Sequence, residues 1–284
     1  MTYIRVKNVK SDQYLYLVKS VWDSKRKASK QEIVKYLGKA SSVTEEDIPK
    51  DYRKDTRILS TIAKYNPKNI ENNQNATKKI QEKLYKKLTE GDSQEVFKIY
   101  EEYVSNFNFV NFLEVILKPI MYKIGEDWDT GKISISTEHI ASNTAQILVN
   151  KIMQHVSRKQ QKKKILICVP IGEEHRLGCD VLETYLSSKG FKTYNMGTSI
   201  PTESILNFID DEKPDIVFLS ITIKDNIQAG QRLVKKIKEQ SNIPILVGGL
   251  AVQEDEHPKF DTKIISNTSL DEILKIIRES KNYH

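Results

Sequence analysis

The carboxyl-terminal part of the chain, residues 163–284, alternates between short apolar runs and amphipathic segments, and this alternation constrains the fold more than any other feature. The apolar runs are KILICVP, FKTYNMG, DIVFLSIT and IPILVGG, with a weaker fifth in KIISN. Helices are predicted between them, near residues 176–189, 202–212, 225–240 and 269–281. Strict alternation of strand and helix implies right-handed crossovers and a parallel sheet covered on both faces. The pattern predicts an α/β, Rossmann-like (flavodoxin-like) domain.

The distinctive residues of this region fall where its predicted strands end. His175 follows the first strand, Ser220 and Thr222 end the third, and Gly248 and Gly249 end the fourth. Ligands of open parallel sheets bind at the carboxyl ends of the strands. The sequence therefore predicts a small-molecule site at this edge.

The spacing of these residues resembles the cobalamin-binding signature. The matching elements are Glu173-x-His175-x-x-Gly178, then 41 residues, Ser220-x-Thr222, then 25 residues, and Gly248-Gly249. The resemblance implies that His175 replaces the cofactor's dimethylbenzimidazole as the lower axial ligand of cobalt. It also implies that Arg176 and Leu177 belong to the loop that binds the cofactor.

Physical chemistry accounts for these residue types. Neutral imidazole is a good ligand for cobalt, and a carboxylate two residues away can accept the other ring N–H and orient the ring. Glu173 stands where many members of the family have Asp. The family pattern implies that the three glycines leave room for the displaced nucleotide tail, and that Ser220 or Thr222 hydrogen-bonds it.

The region has two other interpretations. His175 on a loop could simply be solvated, and the sheet could be a nucleotide-binding flavodoxin-like domain. The second lacks support because no Gly-x-Gly-x-x-Gly or Walker loop follows a strand.

Four helical patterns occupy residues 78–160 and predict a four-helix bundle. The third, from about Phe109 to Trp128, contains Pro119, which should kink it. The fourth is predicted to open at Ser136 as N-cap. In corrinoid proteins such a bundle often caps the upper face of the ring, and the resemblance implies that role here.

The bundle carries Trp128, nine residues, then Glu138-His139. This resembles the Trp-x9-Glu-His motif of the light-sensing adenosylcobalamin-dependent transcription repressors. The resemblance covers about residues 80–281 and implies that Trp128 packs over an adenosyl group that Glu138 and His139 contact. An aromatic plate with two hydrogen-bonding groups suits a nucleoside, whereas a methyl group needs only apolar cover. Alternatively, Trp128 is a core residue and Glu138-His139 an ordinary capping pair.

The chain departs from those repressors in two respects. The residue after the Trp, a histidine that captures cobalt in the best-known members, is Asp129 here. A photoproduct with two histidine ligands through that position is excluded, so the state after photolysis must differ or use another ligand such as His139. No MerR-type winged helix-turn-helix is found.

A basic module, residues 1–56, precedes the bundle. Residues 1–40 hold ten Lys or Arg against three Asp or Glu, and the rest of the chain is balanced at 35 and 35. TYIRVKNV, QYLYLVKSVWD and QEIVKYLG predict a three-stranded antiparallel meander, with a short helix as the alternative for the last. The module looks like the N-terminal module of some transposase-like proteins. Its basic residues and aromatics could bind nucleic acid such as DNA, or form a solvated face.

The polar residues 57–77 are predicted to be a linker. Only Cys168 and Cys179 occur, so a disulfide framework is not expected and a cytoplasmic location is. No apolar run approaches the length of a membrane helix, so we expect no membrane association. A protein partner and a homo-oligomer are left open.

These observations predict a cobalamin-binding sensor rather than an enzyme, with adenosylcobalamin as cofactor and a photoreceptor or transcription regulator as its role. The alternative is a corrinoid shuttle for methyl transfer between partner methyltransferases, with methylcobalamin as cofactor. A mutase is disfavoured because the chain has no room for the barrel that houses radical chemistry.

Overall fold

The protein was analysed as a computed structural model that describes residues 2–9, 12–23, 28–40, 42–53, 55–63, 67–105, 107–156, 163–253, 260–265 and 268–280. The ends of two predicted ranges, residues 157–160 and 281–284, lie outside this set. The chain divides into two compact units, Met1–Ile80 and Gln81–His284. Among the described residues, no helix has both the length and the apolar character needed to cross a membrane.

The first unit is built on a three-stranded antiparallel sheet. Its strands are β1 (Thr2–Val9), β2 (Asp12–Asp23) and β3 (Ala28–Lys39), in the order β1-β2-β3. The predicted meander is confirmed, and QEIVKYLG is a strand rather than a helix. One face of the sheet packs on a hydrophobic core to which the segment after β3 also contributes. The strands supply Leu15, Leu17 and Leu37, and the following segment supplies Val43, Ile48, Ile58 and Ile62.

The described residues of the segment expected to be a linker are helical instead. Residues 57–63 lie in α1 (Thr56–Ala63) and residues 67–77 in α2 (Pro67–Thr89), and the remaining residues of the predicted linker, 64–66, lie outside the described set. Ile58 and Ile62, four residues apart, are both buried against the sheet. A single apolar stripe of this kind anchors a short helix even though the composition is polar, because only one face needs to be buried.

The second unit begins with helices of the bundle. These are the end of α2, then α3 (Ser93–Val104), α4 (Phe109–Asn111), a π-helical turn (Phe112–Leu117), α5 (Lys118–Asp129) and α6 (Ile135–His155). The sequence predicts a kink at Pro119, and the structure has a π-helical turn just before this residue. In a regular helix residue 119 would donate to the carbonyl of Val115, and here that carbonyl accepts from Gln81 Nε2 at 2.8 Å.

The start of α6 corrects the predicted cap. The N-cap is Ser134, whose Oγ accepts from the Thr137 amide at 3.1 Å, and Ser136 lies within the first turn. The loop before α6 is held by the Asp127 carbonyl, which accepts from the amides of Lys132 and Ile133. The helix therefore begins two residues earlier than the local sequence pattern indicates.

The rest of the second unit is a parallel five-stranded sheet with helices on both faces. Its elements are β4 (Lys164–Cys168), α7 (Leu177–Ser188), β5 (Lys192–Asn195), α8 (Thr202–Glu212), β6 (Ile216–Ser220), α9 (Ile227–Gln240), β7 (Ile245–Gly248), β8 (Lys263–Ile264) and α10 (Leu270–Glu279). The strand order is β5-β4-β6-β7-β8, and all pairs are parallel. The predicted Rossmann-like fold is confirmed. Its topological switch point lies between β4 and β6, where ligands of such sheets bind.

Candidate functional site

Glu173 is the centre of a hydrogen-bond network at the switch point. Its side chain is fully buried in the loop after β4. Oε1 accepts from the backbone amide of His175 at 3.1 Å and from its Nδ1 at 2.7 Å. Oε2 accepts from the amides of Thr222 and Ile223, at 2.9 and 3.0 Å, and from Asn226 Nδ2 at 3.1 Å. The carboxylate thus ties the end of β4 to the loop after β6.

These donors keep Glu173 ionised. Burial disfavours the charged carboxylate, but the hydrogen bonds from His175, the two amides and Asn226 outweigh burial and lower the pKa of Glu173 to about 2. An ionised carboxylate only accepts hydrogen bonds, so Nδ1 of His175 must carry the proton. In the neutral ring the lone pair is then on Nε2.

His175 is partly open, with 39% of its side chain exposed. The hydrogen bond to Glu173 raises the pKa of His175 above its usual value, although burial opposes this effect. The charge of Glu138, in the first turn of α6, contributes in the same direction. Glu174, in the same loop as His175, also raises this pKa.

The side of the loop opposite Glu173 is held by Arg176. Its guanidinium bonds the buried carboxylate of Asp180 through Nε and Nη2, at 3.1 and 3.0 Å. Asn195, at the end of β5, donates to the same carboxylate at 2.8 Å. Sequence reasoning identified Arg176 as part of the loop but missed Asp180, Asn195 and Asn226. The position of Asn195 at a strand end was the available signal.

A cavity of about 240 Å³ lies beneath the loop, at the ends of β6 and β7. Among its lining residues are Leu177, Gly178, Ser220, Gly248 and Gly249. The structure thus brings together the residues that the sequence analysis assigned to the tail. Thr222 is not among the residues that line this cavity, and its backbone amide donates to Glu173.

Glycine is required by the backbone at one position of this cavity and not at another. Gly249 has φ of +106°, and a Cβ there would lie 2.2 Å from the carbonyl oxygen of Ile221, so the chain's own backbone requires glycine. At Gly178 a Cβ would meet Ser220 Oγ at 3.9 Å, an ordinary contact. The local backbone therefore does not require glycine at position 178, which lines the cavity.

The bundle motif flanks the loop between α5 and α6. Trp128 is 39% exposed in the last turn of α5. Glu138 is well buried, accepts from Ser142 Oγ at 2.6 Å, and lies 2.9 Å from His139 Nδ1. The alternative that Trp128 is an ordinary core residue does not agree with this exposure. Glu138 does not cap α6, since Ser134 does.

Asp127, just before Trp128, is a buried carboxylate that sequence reasoning also missed. It accepts from Lys132 Nζ at 3.1 Å and from Tyr85 Oη at 2.9 Å, and lies 3.2 Å from Lys123 Nζ. The hydrogen bond from Lys132 is the largest effect that holds the pKa of Asp127 below its usual value. Asp127 therefore fixes the turn that follows Trp128.

Two family matches cover both parts of the second unit. Residues 163–269 and residues 80–153 each match a family described as B12 binding domain. The HTH-type transcriptional repressor CarH of Myxococcus xanthus is 20% identical over 167 residues, which are 58% of this chain and 56% of CarH. The trimethylamine corrinoid protein of Methanosarcina barkeri is 23% identical over 164 residues, 55% of this chain and 75% of that protein.

A solved structure shares the fold. The Methanosarcina barkeri monomethylamine corrinoid protein superposes with a TM-score of 0.62 at 14% identity, over 71% of this chain and 98% of that chain. At this identity the likeness concerns the fold alone. The chain spans little more than half of CarH, so the activity of that whole protein does not transfer with the match.

Proposed function

This chain belongs to the cobalamin-binding domain proteins and resembles CarH, and from that premise we propose that it is a sensor that holds adenosylcobalamin in its second unit. The bound cofactor supplies a light-sensitive cobalt–carbon bond. The chain's own residues bind and orient the cofactor, and the basic first unit is the output module.

The lower part of the site fits a corrinoid. Glu173 fixes the tautomer of His175 and leaves Nε2 with a lone pair, which is the form that ligates a metal. Pockets for drug-sized ligands are about 300–1,000 Å³. The cavity of about 240 Å³ therefore suits a smaller flat group, such as the displaced aromatic base of the tail. Ser220 offers that base a hydrogen bond.

The residues of the bundle motif, Trp128, Glu138 and His139, are the reason for proposing adenosylcobalamin rather than methylcobalamin. The observation behind this choice is that Glu138, in the first turn of α6 and hydrogen-bonded to Ser142, follows the loop that begins just after Trp128. Glu138 and His139 form a carboxylate–imidazole pair, and Trp128 ends the helix before them. A ribose and an adenine need hydrogen-bonding groups of this kind, together with an aromatic surface.

A corrinoid shuttle for methyl transfer is the second candidate. The match to the trimethylamine corrinoid protein over 75% of its length favours it. A methyl carrier needs an upper face open to partner proteins and draws no affinity from Trp128.

The test compares the affinities of Trp128→Ala for adenosylcobalamin and hydroxocobalamin in the dark. The sensor proposal expects the variant to lose adenosylcobalamin affinity by about 10-fold, the scale of an aromatic contact of ~1.4 kcal/mol, and to keep hydroxocobalamin binding. Trp22→Ala, in the first unit, is the matched control. Equal losses for both cofactors, or tight methylcobalamin binding indifferent to Trp128, would count against the sensor.

The same samples are then exposed to green light, and particle size and nucleic-acid binding are measured before and after. A change in either supports a photoreceptor. If neither changes, light is not the signal, and the shuttle becomes the better candidate.

A further inference from the structure

The sheet of the first unit has one covered face and one open face. Pairing across the strands places Arg5, Tyr16 and Tyr36 side by side, since Arg5 pairs with Tyr16 and Tyr16 pairs with Tyr36. Lys7 and Tyr14 form the neighbouring pair on the same face. We call these five residues the tyrosine face. The core of the unit lies on the other side, against Leu15 and Leu17.

The three tyrosines form a continuous aromatic surface. The ring of Tyr36 lies 5.0 Å from that of Tyr16 and 6.4 Å from that of Tyr14. Tyr36 is 50% exposed in the middle of β3. Pairs of aromatic rings across strands stabilise a sheet, and the half-exposed ring of Tyr36 also leaves a surface on which a flat ligand can stack.

The charged residues of the tyrosine face itself are basic. Arg5 and Lys7 lie on β1 beside the rings, and Arg5 Nη1 donates to Gln31 Oε1 at 2.9 Å, which orders its guanidinium. The acidic residues of the described strands are Asp12, Asp23 and Glu32. Asp23 and Glu32 alternate to the covered side, and Asp12 lies at the end of β2, where it pairs with Val9. Within the two strand pairs that form the tyrosine face, Arg5 and Lys7 are the charged residues.

We propose that the tyrosine face binds single-stranded nucleic acid. Bases of a single strand stack on the rings of Tyr14, Tyr16 and Tyr36, while Arg5 and Lys7 contact the phosphates. A single strand is favoured over a duplex because duplex bases are already stacked and present only their edges. Arginine and lysine beside stacked rings match a phosphate backbone and its bases, and this charge complementarity favours nucleic acid as the partner.

This inference takes from the proposed function only the premise that the first unit is the output module. The binding resides in residues of the first unit and can be measured on protein without cobalamin. Failure of cobalamin binding and failure of this inference are therefore separate results.

The experiment measures fluorescence anisotropy of a labelled mixed-sequence single-stranded oligonucleotide with the full-length, cobalamin-free chain. A duplex of the same sequence is the comparison. We expect tighter binding of the single strand, with an affinity that falls steeply as salt rises from about 50 to about 200 mM.

Two variants examine stacking. Tyr36→Ala should weaken binding by between about 5-fold and about 150-fold, the loss of one stacked base, and Tyr36→Phe should retain most of the affinity. Thermal unfolding of each variant reports whether the sheet remains folded. Equal losses for Ala and Phe, in folded proteins, would overturn the stacking role.

Two charge variants test whether Arg5 and Lys7 contact phosphates. They leave Tyr36 in place, so they test the proposal even if Tyr36→Ala does not fold. Arg5→Gln/Lys7→Gln should reduce the slope of log affinity against log salt by about 0.7 for each lost contact. Lys19→Gln/Lys30→Gln removes the same charge from residues that alternate to the covered side, and should change the slope little. Equal effects of the two pairs, tighter duplex binding, or no binding at about 50 mM salt would each overturn the proposal.

Discussion

At the scale of single residues, Glu173 decides the state of the candidate ligand. A buried carboxylate is costly unless it is hydrogen-bonded, and here four other groups of the chain donate to it besides the His175 amide. The result is a carboxylate with a pKa of about 2 and an imidazole whose Nδ1 carries a proton. One carboxylate thus holds both the loop after β4 and the loop after β6.

The first residue-scale prediction concerns Glu173→Gln. The amide removes the charge and turns an NH2 group toward donors, so His175 loses its orientation. We expect the affinity for hydroxocobalamin to fall by about 10- to 100-fold, as for other groups that orient a metal ligand. Titration followed by visible absorption measures it.

Glu174→Gln is the matched control. Glu174 is exposed and accepts from Ser199 Oγ at 2.7 Å, so the same change of charge leaves His175 in place. An affinity of Glu173→Gln equal to that of the control would show that the carboxylate does not orient the ligand.

At the scale of elements, the helices of the bundle are shaped by how their backbone groups find partners. The π-helical turn before Pro119 comes with a bond from Gln81 to the Val115 carbonyl, which joins α2 to the neighbouring helix. At α6, Ser134 satisfies an amide of the first turn and the Asp127 carbonyl closes the preceding loop. These bonds set where Trp128 and Glu138 stand at the ends of their helices.

The prediction at this scale separates two candidate caps. Ser134→Ala should lower the free energy of unfolding by about 1 kcal/mol, because an amide of the first turn loses its partner. Ser136→Ala should change it by less than about 0.5 kcal/mol, since that exposed side chain lies inside the turn. Denaturant unfolding of the two variants measures the difference, and a larger loss for Ser136→Ala would contradict the structure.

At the scale of the whole second unit, the bundle and the sheet are joined by direct bonds. The carboxylate of Glu114, in the π-helical turn, accepts from the Leu270 amide at the start of α10 at 2.7 Å. Gln253, after β7, donates to Tyr122 Oη at 3.2 Å. Side chains of both parts line the same cavity, so a group that enters it contacts bundle and sheet together.

The whole-unit prediction follows from this shared cavity. Hydroxocobalamin at about 100 times its dissociation constant should stabilise the unit by ~2.7 kcal/mol and slow the exchange of globally protected amides by about 100-fold. Hydrogen exchange followed by mass spectrometry should show slowing in β4, in β6 and in the loop between α5 and α6. His175→Ala at the same cofactor concentration is the control. Slowing confined to the sheet would contradict a role for the bundle in binding.

The sequence by itself determined the α/β alternation, the meander of β1 to β3, and the spacing that groups His175, Ser220 and Gly248 at one edge. Hydrophobic periodicity and turn residues are local signals, so they predict strands and helices directly from the sequence. The position of the switch point then follows from the order of the strands in the sheet. Only the tertiary structure decided that the Thr222 amide donates to Glu173, that Ser134 caps α6, and that residues 57–63 and 67–77 are helical. Each of these depends on a buried polar or apolar group finding a partner from another segment, and no local pattern specifies which segment that is.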